Sequence, residues 1–270
     1  MTLLGILLSV LLNTQAECSP LSLRPVGDDG GYRLGGDCQL SGEKDICPID
    51  TGAAISVVAL NERNKDYPSL GEKQIHSIGL VINCNLVKIP DFKLFERKSP
   101  ETIFHRCENL PSVKSLIGLD FFFHHTFTLN FTDETITIDA HYPKKKEQLY
   151  GFASNKLLIS GELDGETVRI AFDTGAPVTL VDQNFVDQHP QIFVESGKPP
   201  TEMMKRRGLR RFEMHSPLFV HGIPLYAEFV YAADVQNFST HQYVMLLGVN
   251  HMKHANWHFD LQERTWAIFP

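Results

Sequence analysis

Short apolar segments with polar positions between them run along most of the chain and are separated by turn residues. Residues 157–163 and 167–172 form one such pair, and Asp164 and Gly165 lie between them as a turn. Two further hairpins of this kind are predicted at residues 126–139 and 257–269. Short, frequent strands with turn signals between them indicate hairpins, and helix-like stretches are few and short. The pattern predicts an all-β protein with few short helices.

One motif occurs twice. The sequence Asp-Thr-Gly-Ala stands at residues 50–53 and, 123 residues later, at residues 173–176. Each copy follows an apolar approach and precedes a β-branched run, which predicts a strand, a turn and a second strand. Two aliphatic residues and a glycine follow each copy, at residues 116–118 and 246–248. Because the order of parts is the same twice, the chain is predicted to be a tandem duplication.

A polar, charged stretch separates the two copies. Residues 140–148 contain Pro143 and a run of three lysines, which favours a linker. Two lobes are therefore predicted, at residues 25–139 and 149–270. The full length of 270 residues allows either one large domain or two small ones. Each lobe is of a size to fold, but each carries one copy of the motif.

The N-terminal segment is apolar. Residues 3–12 form a run too short for the roughly 20 residues that span a bilayer as a helix, so no stable membrane span is predicted. Thr14 and Ala16 place small residues at the −3 and −1 positions of a cut after residue 16, which predicts a signal peptide at residues 1–16. A secreted or periplasmic protein is expected. An uncleaved apolar strand or anchor is the alternative, since no Lys or Arg precedes Arg24.

Five cysteines lie within the first 110 residues, and none forms a C-x-x-C pair. A zinc knuckle or thioredoxin motif is therefore disfavoured. In an oxidising compartment, Cys38 with Cys47 and Cys84 with Cys107 are the expected disulfides, and Cys18 is left over. Buried free thiols are the alternative, because sequence alone does not settle pairing.

Composition narrows the class of partner. Hydrophobic residues make up 43% and charged residues 21% of the chain, which argues against disorder. The net charge of −7 has the wrong sign for gripping phosphate backbones, so nucleic acid is not an expected partner.

Asp50 and Asp173, one in each motif, are the candidate catalytic residues. Two carboxylates within hydrogen-bond reach cannot both ionise readily, so such a pair shares one proton and titrates as a unit. One carboxylate can activate a bound water while the other protonates a substrate carbonyl. This chemistry requires no metal and no cofactor. Gly52 and Gly175 allow tight turns in which backbone N–H groups point at the carboxylates.

The two loops and the aliphatic-aliphatic-Gly segments resemble those of the retropepsin-like aspartic proteases. The resemblance implies two pseudo-twofold-related retropepsin-like (acid protease) β-barrel lobes in one chain. It implies an aspartic endopeptidase that takes a protein or peptide substrate in extended conformation. Thr51 and Thr174 are then expected to hydrogen-bond the opposite loop. A flap that closes over the substrate is expected at Ile78 and Gly79, with a second near Gly208.

Two departures from the family pattern bear on activity. Ala53 and Ala176 stand where pepsins carry a hydroxyl residue, and a missing donor stabilises the ionised pair less. Activity is therefore expected at mildly acidic to near-neutral pH. Five basic residues surround Gly208 within residues 205–211. They either belong to a solvated loop or give the cleft a preference for acidic residues in the substrate.

The sequence also allows other functions and another oligomeric state. A peptide-binding pseudoprotease with the same lobes is the main alternative, and a glycosidase with two carboxylates is a weaker one. A monomer is expected, although each lobe could also pair with its copy in a second chain. His251, His254 and His258 have helical spacing that could suit zinc, but without a suitably spaced carboxylate no metal site is assigned. Asp120 and Asn250 are read as helix caps or as braces for the active-site loops.

Overall fold

The computed structural model describes residues 17–26, 31–77, 80–99, 102–108, 110, 114–139, 146–153, 156–198, 208–234 and 243–270. The predicted signal peptide at residues 1–16 lies outside the described residues, as do the flap residues Ile78 and Gly79 and most of the linker. Below, the first half means the described residues up to 139, and the second half means those from 146 onward.

Strands dominate both halves. The strands of the first half are β1 Glu17–Val26, β2 Gly31–Leu40, β3 Glu43–Pro48, β4 Val57–Ala59, β5 Glu72–Ser77, β6 Leu80–Lys88, β7 Lys93–Leu94, β8 Arg97–Lys98, β9 Ile103–Cys107, β10 Ser115–Leu116, β11 Thr126–Asn130 and β12 Thr135–Ile138. The strands of the second half are β13 Glu147–Gln148, β14 Gly151–Ala153, β15 Lys156–Leu163, β16 Glu166–Phe172, β17 Leu180–Asp182, β18 Phe193–Glu195, β19 Arg210–Met214, β20 Leu218–Val220, β21 Ile223–Leu225, β22 Phe229–Ala233, β23 Met245–Leu247, β24 Asn256–Asp260 and β25 Thr265–Phe269.

Helices are short. In the described part of the chain they are α1 Leu119–Phe122, α2 Gln183–Gln188 and α3 Val249–Met252. Strands account for 54% and helices for 7% of the structure, which confirms the predicted all-β class. No helix among these residues is both long and apolar enough to cross a membrane.

Local sequence explains the hairpins. The β15–β16 hairpin turns at Asp164 and Gly165, whose φ angles of 52° and 81° lie in the left-handed region that Asp tolerates and Gly favours. The sequence prediction of this turn is confirmed. In β12 the side chains alternate between half-buried threonines and buried isoleucines, as expected for a strand with one face on the core.

The strands form three sheets. The first has the order β13-β25-β24-β11-β12-β1-β2-β7-β8, with β3 paired to β2, and contains strands of both halves. The second belongs to the first half, in the order β10-β4-β9-β6-β5. The third belongs to the second half, in the order β18-β19-β22-β17-β23-β16-β15-β20-β21, with β14 paired to β15. Each half thus has a sheet of its own and a share of a common one.

The common sheet joins the halves through the antiparallel pair β11 and β24. Thr128 lies opposite His258, and its hydroxyl is 2.8 Å from the His258 Nδ1. Behind this pair the rings of Phe127 and Phe259 stack with centroids 5.2 Å apart. Both phenylalanines are fully buried in one apolar cluster that draws residues from both halves. Burial of this shared surface holds the halves in a fixed relation.

Two elements of the common sheet fall outside the predicted lobe boundaries. Strand β1 begins at Glu17, before the predicted start at residue 25, and pairs with β12. Strand β13 lies within the predicted linker and pairs with β25. Segments that flank the predicted lobes therefore supply one edge strand of the common sheet, β13, and one interior strand, β1, which lies between β12 and β2.

Both predicted disulfides are present in the first half. Cys38–Cys47 links β2 to β3, and Cys84–Cys107 joins directly opposed residues of β6 and β9. Cys18 is an exposed free thiol. The disulfide prediction is confirmed, and the alternative of buried free thiols is excluded for these four cysteines.

Candidate active site

Each copy of the motif forms a loop that leaves a strand and turns back on itself. The Asp50 N–H donates to the Ile117 carbonyl at 2.9 Å, and the Asp173 N–H donates to the Leu247 carbonyl at 3.1 Å. In both loops the alanine N–H donates to the carbonyl of the aspartate at 3.2 Å. The repeated sequence therefore gives the same local structure twice, each loop anchored on the aliphatic segment of its own half.

Thr51 and Thr174 connect the two loops. The Thr51 N–H donates to the Thr174 hydroxyl oxygen at 3.0 Å, and the Thr174 N–H donates to the Thr51 hydroxyl oxygen at 3.0 Å. Each hydroxyl in turn donates to a carbonyl across the loops, that of Phe172 at 3.0 Å and that of Ile49 at 2.7 Å. Both threonines are almost fully buried. Four reciprocal hydrogen bonds thus fix the position of one loop against the other.

The glycines bring the carboxylates together. A Cβ atom built on Gly52 would lie 2.3 Å from the Asp173 carboxyl carbon, and one built on Gly175 would lie 2.2 Å from that of Asp50. Each glycine therefore packs against the carboxylate of the opposite loop, where no other residue fits. The Gly175 N–H donates to the Asp173 carboxylate at 2.9 Å, and the backbone N–H of Gly52 favours the ionised form of Asp50.

The two carboxyl groups interact directly. Burial raises the pKa of Asp50 well above its usual range, and the charge of Asp173 and a hydrogen bond to its side chain raise it further. The Lys156 ammonium and the Gly52 N–H oppose this rise. The Asp50 Oδ1 is buried and accepts no hydrogen bond from the described residues. The pair therefore retains a proton to higher pH than a free carboxyl group does, and it keeps an unused acceptor.

A brace supports each loop from behind. In the first half the Asp120 carboxylate accepts from the Ser56 N–H at 2.8 Å and from its hydroxyl at 2.6 Å, and that hydroxyl oxygen accepts from the Gly118 N–H at 3.0 Å. The Asp120 carboxylate also accepts from the Phe121 N–H at 3.0 Å in the first turn of α1, so the side chain acts as a brace and also satisfies a donor at the start of the helix. The carboxylate ties the strand after the Asp50 loop to the start of α1.

The second half repeats this brace with different side chains. The Asn250 Oδ1 accepts from the Thr179 N–H at 2.8 Å and from its hydroxyl at 3.0 Å. The Gly248 N–H donates to the Thr179 hydroxyl oxygen at 2.9 Å. His251 adds a further contact, with its Nδ1 2.7 Å from the same hydroxyl. Helix α3 lacks a side-chain cap.

His251 makes the second brace sensitive to acid. Burial lowers the pKa of His251 to about 3, so the ring is neutral in the folded protein, whereas an unfolded histidine titrates near pH 6.5. The unfolded state binds the extra proton, so folding stability falls as the pH drops from about 6.5 towards 3, by at most about 1.4 kcal/mol per pH unit from this group. Denaturant unfolding of His251→Gln should show a shallower pH dependence than wild type, and the exposed His215→Gln should not. An unchanged pH dependence in His251→Gln would contradict this assignment.

The flap predictions fall only partly within the described residues. Strands β5 and β6 form an antiparallel hairpin around residues 78–79, and Cys84–Cys107 ties β6 to β9 near its base. In the second half β18 and β19 form the corresponding hairpin. There Arg210 pairs with Glu195, and the Arg211 guanidinium lies 3.7 Å from the ring centroid of Phe229. The remaining basic residues, 205–207, lie outside the described ranges.

Two residues near Asp50 and Asp173 were not predicted from the sequence as site residues. The Lys156 Nζ donates to the Gly52 carbonyl at 2.9 Å. The Tyr243 side chain is buried, and burial together with the charge of Asp173 raises the pKa of its hydroxyl to about 12. One sequence signal for Lys156 exists, because it precedes Asp173 by 17 residues, as Arg33 precedes Asp50. Tyr243 has no such counterpart in the pattern.

The histidine cluster does not form a metal centre. No group of three metal-ligating side chains converges within the described ranges. His251 is engaged with Thr179, and His258 contacts Thr128 across the common sheet. Only His251 lies in helix α3, whereas His258 lies in strand β24, so the predicted helical spacing of the three histidines is not realised.

Sequence comparisons do not place the chain in a family. No model of a known protein family matches it, and no curated protein matches it.

Proposed function

We propose that the chain is an aspartic endopeptidase with a retropepsin-like arrangement of two lobes. The observation that carries this proposal is the direct interaction of Asp50 with Asp173, held by the reciprocal Thr51 and Thr174 hydrogen bonds. Both aspartates come from one chain, so a second copy is not needed to complete the pair. A single shared proton and an unused acceptor oxygen are what hydrolysis by a carboxyl pair requires.

The proposed reaction uses the two carboxyl groups in alternating roles. The ionised member takes a proton from water as the water oxygen bonds to the peptide carbonyl carbon, and the protonated member donates its proton to the carbonyl oxygen. The product is a gem-diol. A carboxyl group then protonates the amide nitrogen, a diol hydroxyl returns a proton to the other carboxylate, and the C–N bond breaks. The products are a carboxylic acid and an amine, and the pair regains its single proton.

Apolar residues near each loop are consistent with a peptide substrate. In the first half Ile55 and Leu116 pack around a cluster that includes Val57 and the Cys84–Cys107 disulfide. In the second half Leu180 and Leu246 pack around a cluster that includes Tyr243. Ile55 and Leu180 follow the two motifs within a few residues, and Leu116 and Leu246 precede the glycines that support the loops. Such surfaces suit apolar side chains on either side of the cleaved bond.

The pH dependence follows from the direction of the Asp50 shift. The reactive state holds one proton on the pair, and the raised pKa of Asp50 keeps that proton bound above the usual carboxyl range. Activity is expected to peak at mildly acidic to near-neutral pH and to fall as the last proton leaves. Measurement of kcat/KM from about pH 3 to about pH 8 tests this expectation. A maximum below about pH 3 would contradict it.

The decisive experiment is digestion of a diverse peptide library by the purified protein, with product identification by mass spectrometry. Cleavage between apolar residues, blocked by a peptide that carries a hydroxyl-bearing isostere of the gem-diol, is the expected result. Binding of that isostere peptide without any cleavage across the whole pH range would instead support the pseudoprotease. Failure both to cleave and to bind would overturn the proposed function.

A further inference from the structure

Lys156 crosses from the second half to the catalytic loop of the first. It is the first residue of β15, and its neighbours Leu157 and Leu158 are buried in the second half. Its half-buried side chain reaches the loop of the other half, where the Nζ donates to the Gly52 carbonyl at 2.9 Å. Gly52 is the residue whose backbone N–H favours the ionised form of Asp50. The contact therefore fixes the residue that supports one catalytic carboxylate.

Among the described residues, Asp173 and Lys156 are the charged groups that act on Asp50. The Asp173 carboxylate favours the protonated form of Asp50, and the Lys156 ammonium favours the ionised form. On the other side, the Tyr243 hydroxyl is influenced by the charge of Asp173. A positive charge close to a buried carboxyl pair acts through a medium of low effective dielectric constant, so its influence is larger than at an exposed site.

We propose that Lys156 is a positioning residue that holds the Gly52 turn against Asp50 and, through its charge, sets the pH range in which the pair works. This role rests on the proposed peptidase function. It gives the second half a further contact with the catalytic loop of the first half, beside those made by Asp173 and Thr174. The neutral variant should keep the two aspartates in contact but keep them protonated to higher pH.

The first test compares the pH profiles of kcat/KM for wild type, Lys156→Met and Lys156→Arg. Loss of the charge should move the alkaline limb of the profile to higher pH, and the arginine variant should restore the wild-type limb. Lys44→Met is the matched control, because it makes the same change of side chain and net charge at an exposed hairpin position near the far end of β3, roughly 20 Å along the strand from Asp50. A uniform loss of activity with unmoved limbs in Lys156→Met would reduce Lys156 to a structural residue and overturn the proposal.

A second test does not depend on cleavage. Because the pKa of Asp50 is raised on folding, its contribution to stability is greatest below the unfolded pKa, near 3.9, and is lost as the pH rises towards the folded pKa. In Lys156→Met this loss should extend to higher pH, whereas in the Asp50→Asn background the same change should leave the pH dependence unaltered. Equal pH dependence of wild type and Lys156→Met would overturn the proposal.

The two tests distinguish failure of the proposed peptidase function from failure of the proposed role of Lys156. If wild type cleaves no peptide but Lys156→Met changes the pH dependence of unfolding only when Asp50 is present, the peptidase function fails and the electrostatic control by Lys156 stands. If wild type cleaves and neither measurement responds to Lys156→Met, the Lys156 role fails alone. Should Lys156→Met not fold, Lys156→Gln provides the same comparison, since it keeps a polar donor without the charge.

Discussion

If the chain is the proposed endopeptidase, replacement of either Asp50 or Asp173 by Asn is expected to lower kcat/KM for peptide cleavage by about 10³-fold or more. An amide cannot take a proton from water at these pH values, nor can it share one with the remaining carboxyl group. Because the two side chains interact directly and are held by the same four hydrogen bonds, each substitution should be as damaging as the other. The double variant should be little worse than either single variant, since the pair acts as a unit.

The measurement is steady-state cleavage of one peptide taken from the library digest. Asp164→Asn is the control, because it makes the same change at an exposed hairpin turn whose left-handed backbone Asn also tolerates. Thermal unfolding shows whether each variant is folded. Cleavage at wild-type rates by both variants would show that neither aspartate is catalytic. Inactivity of only one variant would show that the two aspartates do not act as a pair.

Substitution of Thr51 or Thr174 by Val destabilises the protein by about 2–5 kcal/mol and lowers kcat/KM by about 10²-fold. Valine keeps the shape of threonine but removes the hydroxyl. In Thr51→Val the Thr174 N–H loses its acceptor and the Phe172 carbonyl loses its donor, both in a buried site. A buried group left without a partner costs about 1–3 kcal/mol. The loops are then free to shift, and a small displacement of the two carboxylates costs catalysis.

Denaturant unfolding and kcat/KM measured on the same samples test this expectation. Thr51→Ser and Thr174→Ser are the matched controls, because serine keeps the hydroxyl and should keep most of both quantities. A double-mutant cycle of the two valine substitutions should show strong coupling, since each threonine bonds the other. Additive effects of the two substitutions would show that the loops are held by other contacts.

The sequence was most informative where a local pattern repeats. The motif at residues 50–53 and 173–176 predicted two similar loops, and the turn at Asp164 and Gly165 was predicted from the conformations that these residues adopt. The disulfides of the first half were predicted because oxidising context and spacing restrict the choices. All of these depend on short-range information, which a single sequence carries.

The features that could not be predicted from the sequence depend on contacts between segments that are distant along the chain. The pairing of β11 with β24, the extension of β1 to Glu17 and the reach of Lys156 to Gly52 join residues more than 100 positions apart. Alternation of apolar residues identifies a strand but not its partner, and a lysine side chain long enough to cross between lobes looks like any surface lysine. The same limit applies to Tyr243, whose position beside Asp173 follows only from folding.

The two halves are alike without being identical. Asp120 supports Ser56 in one half where Asn250 supports Thr179 in the other. A peptide is itself a directional object, with its N-terminus at one end and its C-terminus at the other. A cleft built from two identical subunits presents the same surface to either direction of a peptide chain. Such a cleft binds the peptide equally well in both directions. Because this chain supplies both halves, each can differ from the other, and under the proposed function the two orientations of a bound peptide are expected to differ in free energy.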